Sequence, residues 1–205
     1  MALPDLSRSA LEVAPELLGR VLLHRTREGV VGVRLTEVEA YLGVGEDPGS
    51  HAYRGPTART APMFGAPGSV YAYFSYGMHT CLNIVCSPVG TASAVLLRAG
   101  DIVAGEELAL LRRGPVRHRD IARGPARLAK ALGVQLSESG DPLEAAFELL
   151  PGRPPSTVAA GPRTGVSGVG GGDEFPWRFS IPGEPTVSPY RRAVPRRPPG
   201  ALPAR

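Results

Sequence analysis

Alternation of apolar and polar positions predicts most of the regular structure in the first half of this chain. Segments rich in β-branched residues with a two-residue period are typical of strands, and a short apolar run between turn signals is typical of a buried strand. The dipeptide Tyr76-Gly77 interrupts one such pattern and indicates the turn of a β-hairpin. The predicted strands are 21–26, 30–43, 92–100 and 177–183, with a hairpin over 70–86.

Helical periodicity and capping residues predict three helices, over 5–19, 101–113 and 122–134. In the third helix, Pro125 suits the first turn and Gly133 suits the position just past the end. A long stretch rich in Gly, Pro and Ser separates the second strand from the hairpin. A loop of that length inside a compact domain is usually functional or disordered.

The length and composition indicate one globular domain. A chain of 205 residues with 42% apolar residues can bury a real core, and no apolar run approaches the ~20 residues of a membrane span. The first residues lack a basic segment followed by a continuous apolar stretch, so we expect a cytoplasmic protein without a membrane partner. Residues 1–188 are predicted to fold, and 189–205, rich in Arg and Pro, to form a disordered basic tail.

Arginine dominates the positive charge of this chain. The net charge is only +4, but Lys130 is the single lysine among the 23 basic residues. The guanidinium group binds phosphates and stacks on bases, but a GC-rich genome produces the same excess, so the bias alone is weak evidence for nucleic-acid binding. The helix that begins behind Arg123 and Gly124 offers free backbone N–H groups, which suit either an anion or an ordinary helix start.

The two cysteines, Cys81 and Cys86, predict neither a disulfide nor a metal site. Their odd separation along one strand would put them on opposite faces of the sheet. His79 lies close by, but the sequence shows no set of four ligands of the kind that a structural zinc needs. We expect two buried free thiols, with no metal and no organic cofactor.

Two carboxylates stand out in the second predicted strand. Regular alternation would put Glu37 and Glu39 on the same face as Val33 and Leu35. Carboxylates on a buried face are costly unless they are paired or used in chemistry. Arg98 ends a strand that looks buried, and it is a natural partner for either carboxylate. A structural salt bridge and a catalytic carboxylate both stay open at this point.

The segment YAYFSYGMHTCLNI concentrates amphipathic aromatic surface around one turn. With regular alternation, Tyr71 and Tyr73 share a face with Asn83, whereas Tyr76 stands at the turn. Aromatic pairs on sheets are more often plain packing. An exposed tyrosine at the tip of a turn is harder to explain as packing.

Seven segments together resemble the monofunctional 3-methyladenine (alkyladenine) DNA glycosylases of base-excision repair. They run in the family's order from about Leu6 to Gly183, and the combination of EAYLG, SHAYRG and YGMHTCLN is highly specific. The resemblance implies an α/β fold of the α+β type. It would be a single compact domain with a curved, mostly antiparallel β-sheet, flanking helices and a protruding β-hairpin. The seven segments are ELLGRVLLHR, TEVEAYLG, EDPGSHAYRG, MFGAPGSVYAYFSYGMHTCLNIV, AVLLRAGD, RGPARLAKALGV and PWRFSIPG.

The resemblance also implies roles for particular residues. Glu39 matches the catalytic carboxylate that activates a water, and Arg98 matches the residue that orients this carboxylate. Tyr76 matches a tyrosine that intercalates into DNA and fills the gap left by a flipped nucleotide. The base pocket would be formed by Tyr41, His51, Tyr73 and Asn83, and the phosphate contacts by Arg123, Gly124, Arg127 and Arg163.

The implied partner is double-stranded DNA with damaged purines, bound by a monomer that leaves an abasic site. The bases 3-methyladenine, 7-methylguanine, hypoxanthine and 1,N6-ethenoadenine all fit the family, and the sequence does not rank them. Lys130 lies far in sequence from the pocket segments, so Schiff-base lyase chemistry is not expected. Two alternative hypotheses remain. One is an inactive damaged-DNA binder, which the presence of both Glu39 and Arg98 disfavours. The other is a small-molecule hydrolase, which Tyr76 and the arginine-rich start of the third helix disfavour.

Overall fold

The computed structural model describes residues 3–75 and 77–193, and this part of the chain contains three α-helices and eight β-strands. No helix in these ranges is long and apolar enough to cross a membrane. The helices are α1 (Ala10–Leu17), α2 (Glu106–Arg113) and α3 (Pro125–Leu132). The strands are β1 (Val21–Thr26), β2 (Gly29–Tyr41), β3 (Val70–Ser75), β4 (His79–Val85), β5 (Ala94–Ala104), β6 (Phe147–Leu150), β7 (Ala159–Gly161) and β8 (Arg178–Ser180).

The strands form a curled sheet in the order β3-β4-β5-β2-β1-β6, and every pairing within the described residues is antiparallel. Strand β8 pairs with the second half of β2 and carries β7 at its other edge. Side chains from α1 and α3 pack with β2, β4 and β5 into the main apolar core. The expected fold class, a single α+β domain with a curved antiparallel sheet and flanking helices, is confirmed.

The ends of α3 lie where Pro125 and Gly133 indicate, inside the predicted range 122–134, whereas the predictions for α1 and α2 need correction. Helix α3 begins at Pro125 and is closed by Gly133 at φ 82°, as the sequence signals indicate. Helix α1 is shorter than the predicted range because Ser9 caps it and forms a capping box with Glu12. Pro15 lies inside α1 and does not split it.

The residues predicted to start the second helix belong instead to β5. Asp101 and Ile102 pair with β2, and strand β5 continues to Ala104. Gly105, with φ 67°, then turns the chain into α2. A glycine fits this turn because an added Cβ would collide with the backbone of Val30.

Bulges between β2 and β5 reverse the alternation that the sequence predicts for β2. The pairing steps from Leu35 opposite Gly100 to Glu37 opposite Ala99, so Thr36 is an extra residue on β2. Core residues therefore lie at Val33 and Leu35 before the bulge but at Val38 and Ala40 after it. The prediction that Glu37 and Glu39 share a face with Val33 and Leu35 is wrong: the two carboxylates lie on the opposite face.

The predicted hairpin is confirmed, with Ser75 paired to His79 and Gly77 at φ 67° in the turn. Tyr76 lies outside the described residues, so its predicted position at the tip stays a prediction. Cys81 and Cys86 are both buried and free, as expected. The boundary between the folded domain and the tail also stays a prediction, since residues 194–205 lie outside the described ranges.

Candidate active site

One row of paired residues crosses four neighbouring strands and forms part of the wall of a cavity. Tyr71 on β3 pairs with Asn83 on β4, Asn83 pairs with Leu96 on β5, and Leu96 pairs with Glu39 on β2. Directly paired residues of an antiparallel sheet point to the same face. The sheet therefore brings together side chains that lie far apart in sequence, with an amide and a carboxylate in the same row.

The cavity on this face has a volume of about 740 Å³, which is within the usual range of ligand sites. Its walls come from the β3–β4 hairpin, from β5, from the loop after β2 and from residues 164–167. Pro125 lies at the wall, so the start of α3 reaches the cavity. Five predicted site residues line it: Tyr41, His51, Tyr73, Asn83 and Arg98.

Glu39 is fully buried behind this wall, and three hydrogen bonds hold its carboxylate. The Thr164 backbone N–H donates to Oε1 at 2.7 Å. The Tyr41 hydroxyl donates to Oε2 at 2.8 Å, and Arg98 Nη1 donates to the same oxygen at 3.0 Å. All three donors belong to residues that line the cavity. The carboxylate is therefore fixed in orientation from the cavity side.

Arg98 bridges the two buried carboxylates. Its Nε donates to Glu37 Oε1 at 2.8 Å, while its Nη1 contacts Glu39. Glu37 also accepts hydrogen bonds from Arg178 Nε at 2.7 Å and from the Ser188 backbone N–H at 2.6 Å. The sequence leaves open which carboxylate is the partner of Arg98. In the structure Arg98 pairs with both.

The electrostatics of this network keep the arginine charged and Glu37 ionised. Burial alone would raise the pKa of Glu37, but Arg98 and Arg178 hold that pKa below its ordinary value. Burial alone would lower the pKa of Arg98, but the negative charges of Glu39 and Glu37 outweigh the effect of burial and raise this pKa. Burial, followed by the charge of Glu39, raises the pKa of the Tyr41 hydroxyl well above its ordinary value. Tyr41 therefore remains a hydrogen-bond donor.

Aromatic side chains form the side of the cavity next to the hairpin. The His51 and Tyr73 rings meet edge to face at 4.8 Å, and the Tyr71 hydroxyl lies 3.4 Å from His51 Nδ1. His51 keeps part of its surface exposed, and partial desolvation together with the nearby charge of Arg59 lowers its pKa, which favours the neutral ring at physiological pH. Asn83 Nδ2 donates to the Tyr71 backbone carbonyl at 2.9 Å, which fixes the amide plane.

The residues predicted to contact phosphate separate into two groups. Arg127 is exposed on α3, Gly124 caps that helix at φ 121°, and Arg123 is half-buried with Nε bound to the Val187 carbonyl. Arg163 differs from these three because it is fully buried and forms an ion pair with Asp47. Its guanidinium has no route to a DNA backbone in this structure, so the expected phosphate contact of Arg163 needs correction.

Two residues that hold the site together, Thr164 and Asp47, carry little signal in the sequence. Thr164 contributes a backbone N–H, which leaves no signature in residue type. Asp47 lies in the long loop and gives no signal of a partner far along the chain. Tyr71 does carry a signal: the alternation that puts it on the face of Asn83 predicts that it faces a pocket, and it lines the cavity.

Comparisons with known proteins agree with the geometry. A sequence profile of the family described as Methylpurine-DNA glycosylase (MPG) matches residues 5–185. A protein of Leifsonia xyli subsp. xyli is 59% identical over 190 residues, which cover 90% of this chain and 89% of its own length. A protein of Streptomyces avermitilis is 56% identical over 93% of this chain and 92% of its own length. A protein of Burkholderia orbicola is 45% identical over 89% of this chain and 87% of its own length. All three carry the provisional name 3-methyladenine DNA glycosylase.

Proposed function

Because this chain belongs to the methylpurine-DNA glycosylase family, we propose that it excises 3-methyladenine and related damaged purines from double-stranded DNA and leaves an abasic site. One observation carries this proposal. A buried carboxylate, Glu39, is held by donors that line a cavity large enough for a purine. The reaction would be hydrolysis of the N-glycosidic bond by water, as a step in base-excision repair.

The hydrogen bonds of Glu39 support a role as the group that activates the water. A carboxylate has about four acceptor positions, and Arg98, Tyr41 and Thr164 use three of them. The fourth acceptor position of Glu39 would take a proton from a water molecule while the oxygen of that water attacks C1′ of the sugar. The C1′–N9 bond breaks, its electron pair neutralises the cationic purine, and the carboxylate stabilises the positive charge on the sugar.

The aromatic walls support a pocket for a flipped base. Tyr41, Tyr73 and His51 would sandwich the purine, and a cationic alkylated base is attracted to aromatic faces. A neutral His51 ring suits this role because a protonated ring would repel the cation. Asn83, whose amide is fixed by its bond to β3, would crowd the exocyclic amine of guanine and so reject the undamaged base.

Binding to DNA would use the hairpin and the start of α3. A DNA glycosylase must expose the damaged base to reach its glycosidic bond. Tyr76 is proposed to fill the space left by the flipped nucleotide, as in the family. Arg123, Gly124 and Arg127 would contact phosphates beside the cavity, since the N-terminus of a helix attracts anions. The protein would act as a monomer.

The wild-type protein should release free 3-methyladenine from methylated duplex DNA and leave the strand intact. Water is the proposed nucleophile, and Lys130, the only lysine, is exposed on α3 and outside the cavity wall. Chromatography of the released base, gel analysis of the strand and borohydride treatment measure the two outcomes. A covalent complex trapped on abasic DNA would contradict hydrolysis, and tight binding without base release would favour an inactive binder.

Replacement of Arg127 by glutamine should weaken binding to all duplexes and reduce the salt dependence of the affinity. Each phosphate contact releases about one counterion, so the slope of log K against log salt should change by about 1. Titrations at several salt concentrations measure this slope. Arg25→Gln is the control because Arg25 lies on β1 and pairs with Glu148. An unchanged slope for Arg127→Gln would contradict the phosphate contact.

A further inference from the structure

We propose that Arg163 and Asp47 are a positioning pair, which holds the Tyr41 ring and the Thr164 N–H in the geometry that Glu39 needs for base release. The inference rests on the proposed glycosylase function and assigns a role to a pair outside the set of groups that would touch the substrate. Both side chains are fully buried. They act through the residues that they hold.

Asp47 ties together two segments that carry pocket residues. Its carboxylate receives Nη1 and Nη2 of Arg163, each at 2.6 Å. It also accepts the backbone N–H of Leu42 at 3.1 Å and that of Gly49 at 2.8 Å. The bond from Leu42 fixes the chain just past the end of β2, and the bond from Gly49 fixes the start of the turn that carries His51.

Arg163 connects the same carboxylate to the wall of the cavity. Its Nη1 donates to the Ala40 carbonyl at 3.0 Å, and its Nη2 donates to the Gly170 carbonyl at 2.7 Å. Its guanidinium carbon lies 4.5 Å from the centre of the Tyr41 ring and 5.0 Å from that of Trp177. The plane of the Tyr41 ring is therefore set on one side by this cation.

The next residue along the chain places the third donor on the catalytic carboxylate. Thr164 follows Arg163 directly, and its N–H donates to Glu39 Oε1. Because the guanidinium of Arg163 is fixed at four hydrogen bonds, the backbone at Thr164 has little freedom to move away. The pair thus controls two of the three donors on Glu39, the Tyr41 hydroxyl and the Thr164 amide.

Two glycines pack closely around the pair. A Cβ added at Gly49 would lie 2.5 Å from Arg163 Nη2, and one added at Gly170 would collide with the backbone of Gly49. A buried ion pair contributes little net stability compared with apolar residues of similar volume, and in some proteins it specifies a unique geometry instead. The enclosure by two glycines supports that second role here.

Arg163→Met should slow base release by about 10- to 100-fold, because a small misplacement of catalytic groups has an effect of that size. The measurement is the single-turnover rate constant for release of 3-methyladenine at saturating enzyme. This constant does not depend on the fraction of folded protein, so a loss of stability alone would leave it unchanged. Asp47→Asn should give a similar decrease. The double variant should be no slower than the slower single variant, since the two residues act as a unit.

Arg112→Met is the matched control. Arg112 also binds a carboxylate through two nitrogen atoms, that of Glu28, and it also donates to two backbone carbonyls, those of Ala131 and Leu132. It lies away from the cavity wall. Its replacement should therefore leave the rate constant within about twofold of the wild-type value, as for a change that does not reach the site.

Gly49→Ala tests the inference without removing a charge, and it decides the question if Arg163→Met does not fold. The new methyl group would push on Nη2 of Arg163, so the rate constant should fall, whereas Gly161→Ala, whose Cβ would meet nothing within 4 Å, should have no effect. Trp177, the only tryptophan, contacts the guanidinium, so its fluorescence should change in Gly49→Ala and stay unchanged in Gly161→Ala.

Wild-type rate constants in Arg163→Met or in Gly49→Ala would overturn the positioning role while leaving the proposed function intact. If the wild-type protein itself released no base, the proposed function would fail first, and the inference with it. These two failures are distinguishable because the wild-type protein is measured in the same series.

Discussion

Replacement of Arg98 by methionine should lower the free energy of unfolding by about 3–5 kcal/mol at neutral pH, because it leaves Glu39 buried without its cation and Glu37 with Arg178 alone. Glu37 and Glu39 are both fully buried, and Arg98 contacts each of them. Urea denaturation followed by circular dichroism measures the loss. The control is Arg25→Met, since the pair of Arg25 with Glu148 is exposed on both sides and such pairs are worth about 0–1 kcal/mol.

The pH dependence of this loss has a defined sign. In the wild-type protein the pKa of Glu37 lies below its ordinary value of 4.5, so its stabilising contribution is present above pH 4.5 and is lost as the pH falls through the folded-state value. Arg98→Met removes part of this contribution. The difference in stability between the two proteins should thus be largest at neutral pH and shrink in acid. A difference that grows on acidification, or one no larger than that of the control, would contradict the role of Arg98 as the cation that stabilises the buried carboxylates.

Local signals predict the elements whose boundaries depend on neighbouring residues alone. Helix α3 has both of its ends marked, by Pro125 and Gly133, and the structure places them as predicted. The hairpin is likewise marked by its turn residues and by alternation on both sides. In these segments the conformational preference of the chain and the tertiary structure agree.

Strand β5 shows where a local signal misleads. Gly100 followed by Asp101 resembles the end of a strand, and the prediction therefore began a helix there. In the structure Gly100 sits opposite the bulge of β2, where a Cβ would lie 2.5 Å from the Arg34 carbonyl oxygen. This glycine marks a close approach of two strands, which depends on a partner that the local sequence does not contain.

Five of the predicted site residues line the cavity, but the hydrogen-bond network around Glu39 was not predictable from the sequence. The roles expected for Glu39 and Arg98 came from the resemblance. Alternation alone put Glu39 on the wrong face, because a bulge depends on the pairing of two strands and cannot be predicted from one strand. The phosphate contact expected for Arg163 likewise came from the resemblance. The actual partner of Arg163, Asp47, is 116 residues away in sequence, and no periodicity spans that distance.

Glu39→Gln should bind a lesion-containing duplex about as well as the wild-type protein and release its base about 10²- to 10⁴-fold more slowly, the usual range for loss of a general base. Glutamine keeps the shape of the side chain and one carbonyl oxygen, so the contacts with Tyr41 and Arg98 can persist in part. It cannot take a proton from water, and it carries no negative charge to stabilise the sugar cation.

Single-turnover base release by wild-type protein and Glu39→Gln from two duplexes, one methylated and one with a single hypoxanthine, decides whether Glu39 activates the water. Binding to each duplex is measured in the same samples. The wild-type protein should release the methylated purine, and the variant should bind the duplex but not release the base. Equal rates for the two proteins would contradict the role of Glu39, and binding without release by the wild-type protein would contradict the glycosylase activity itself.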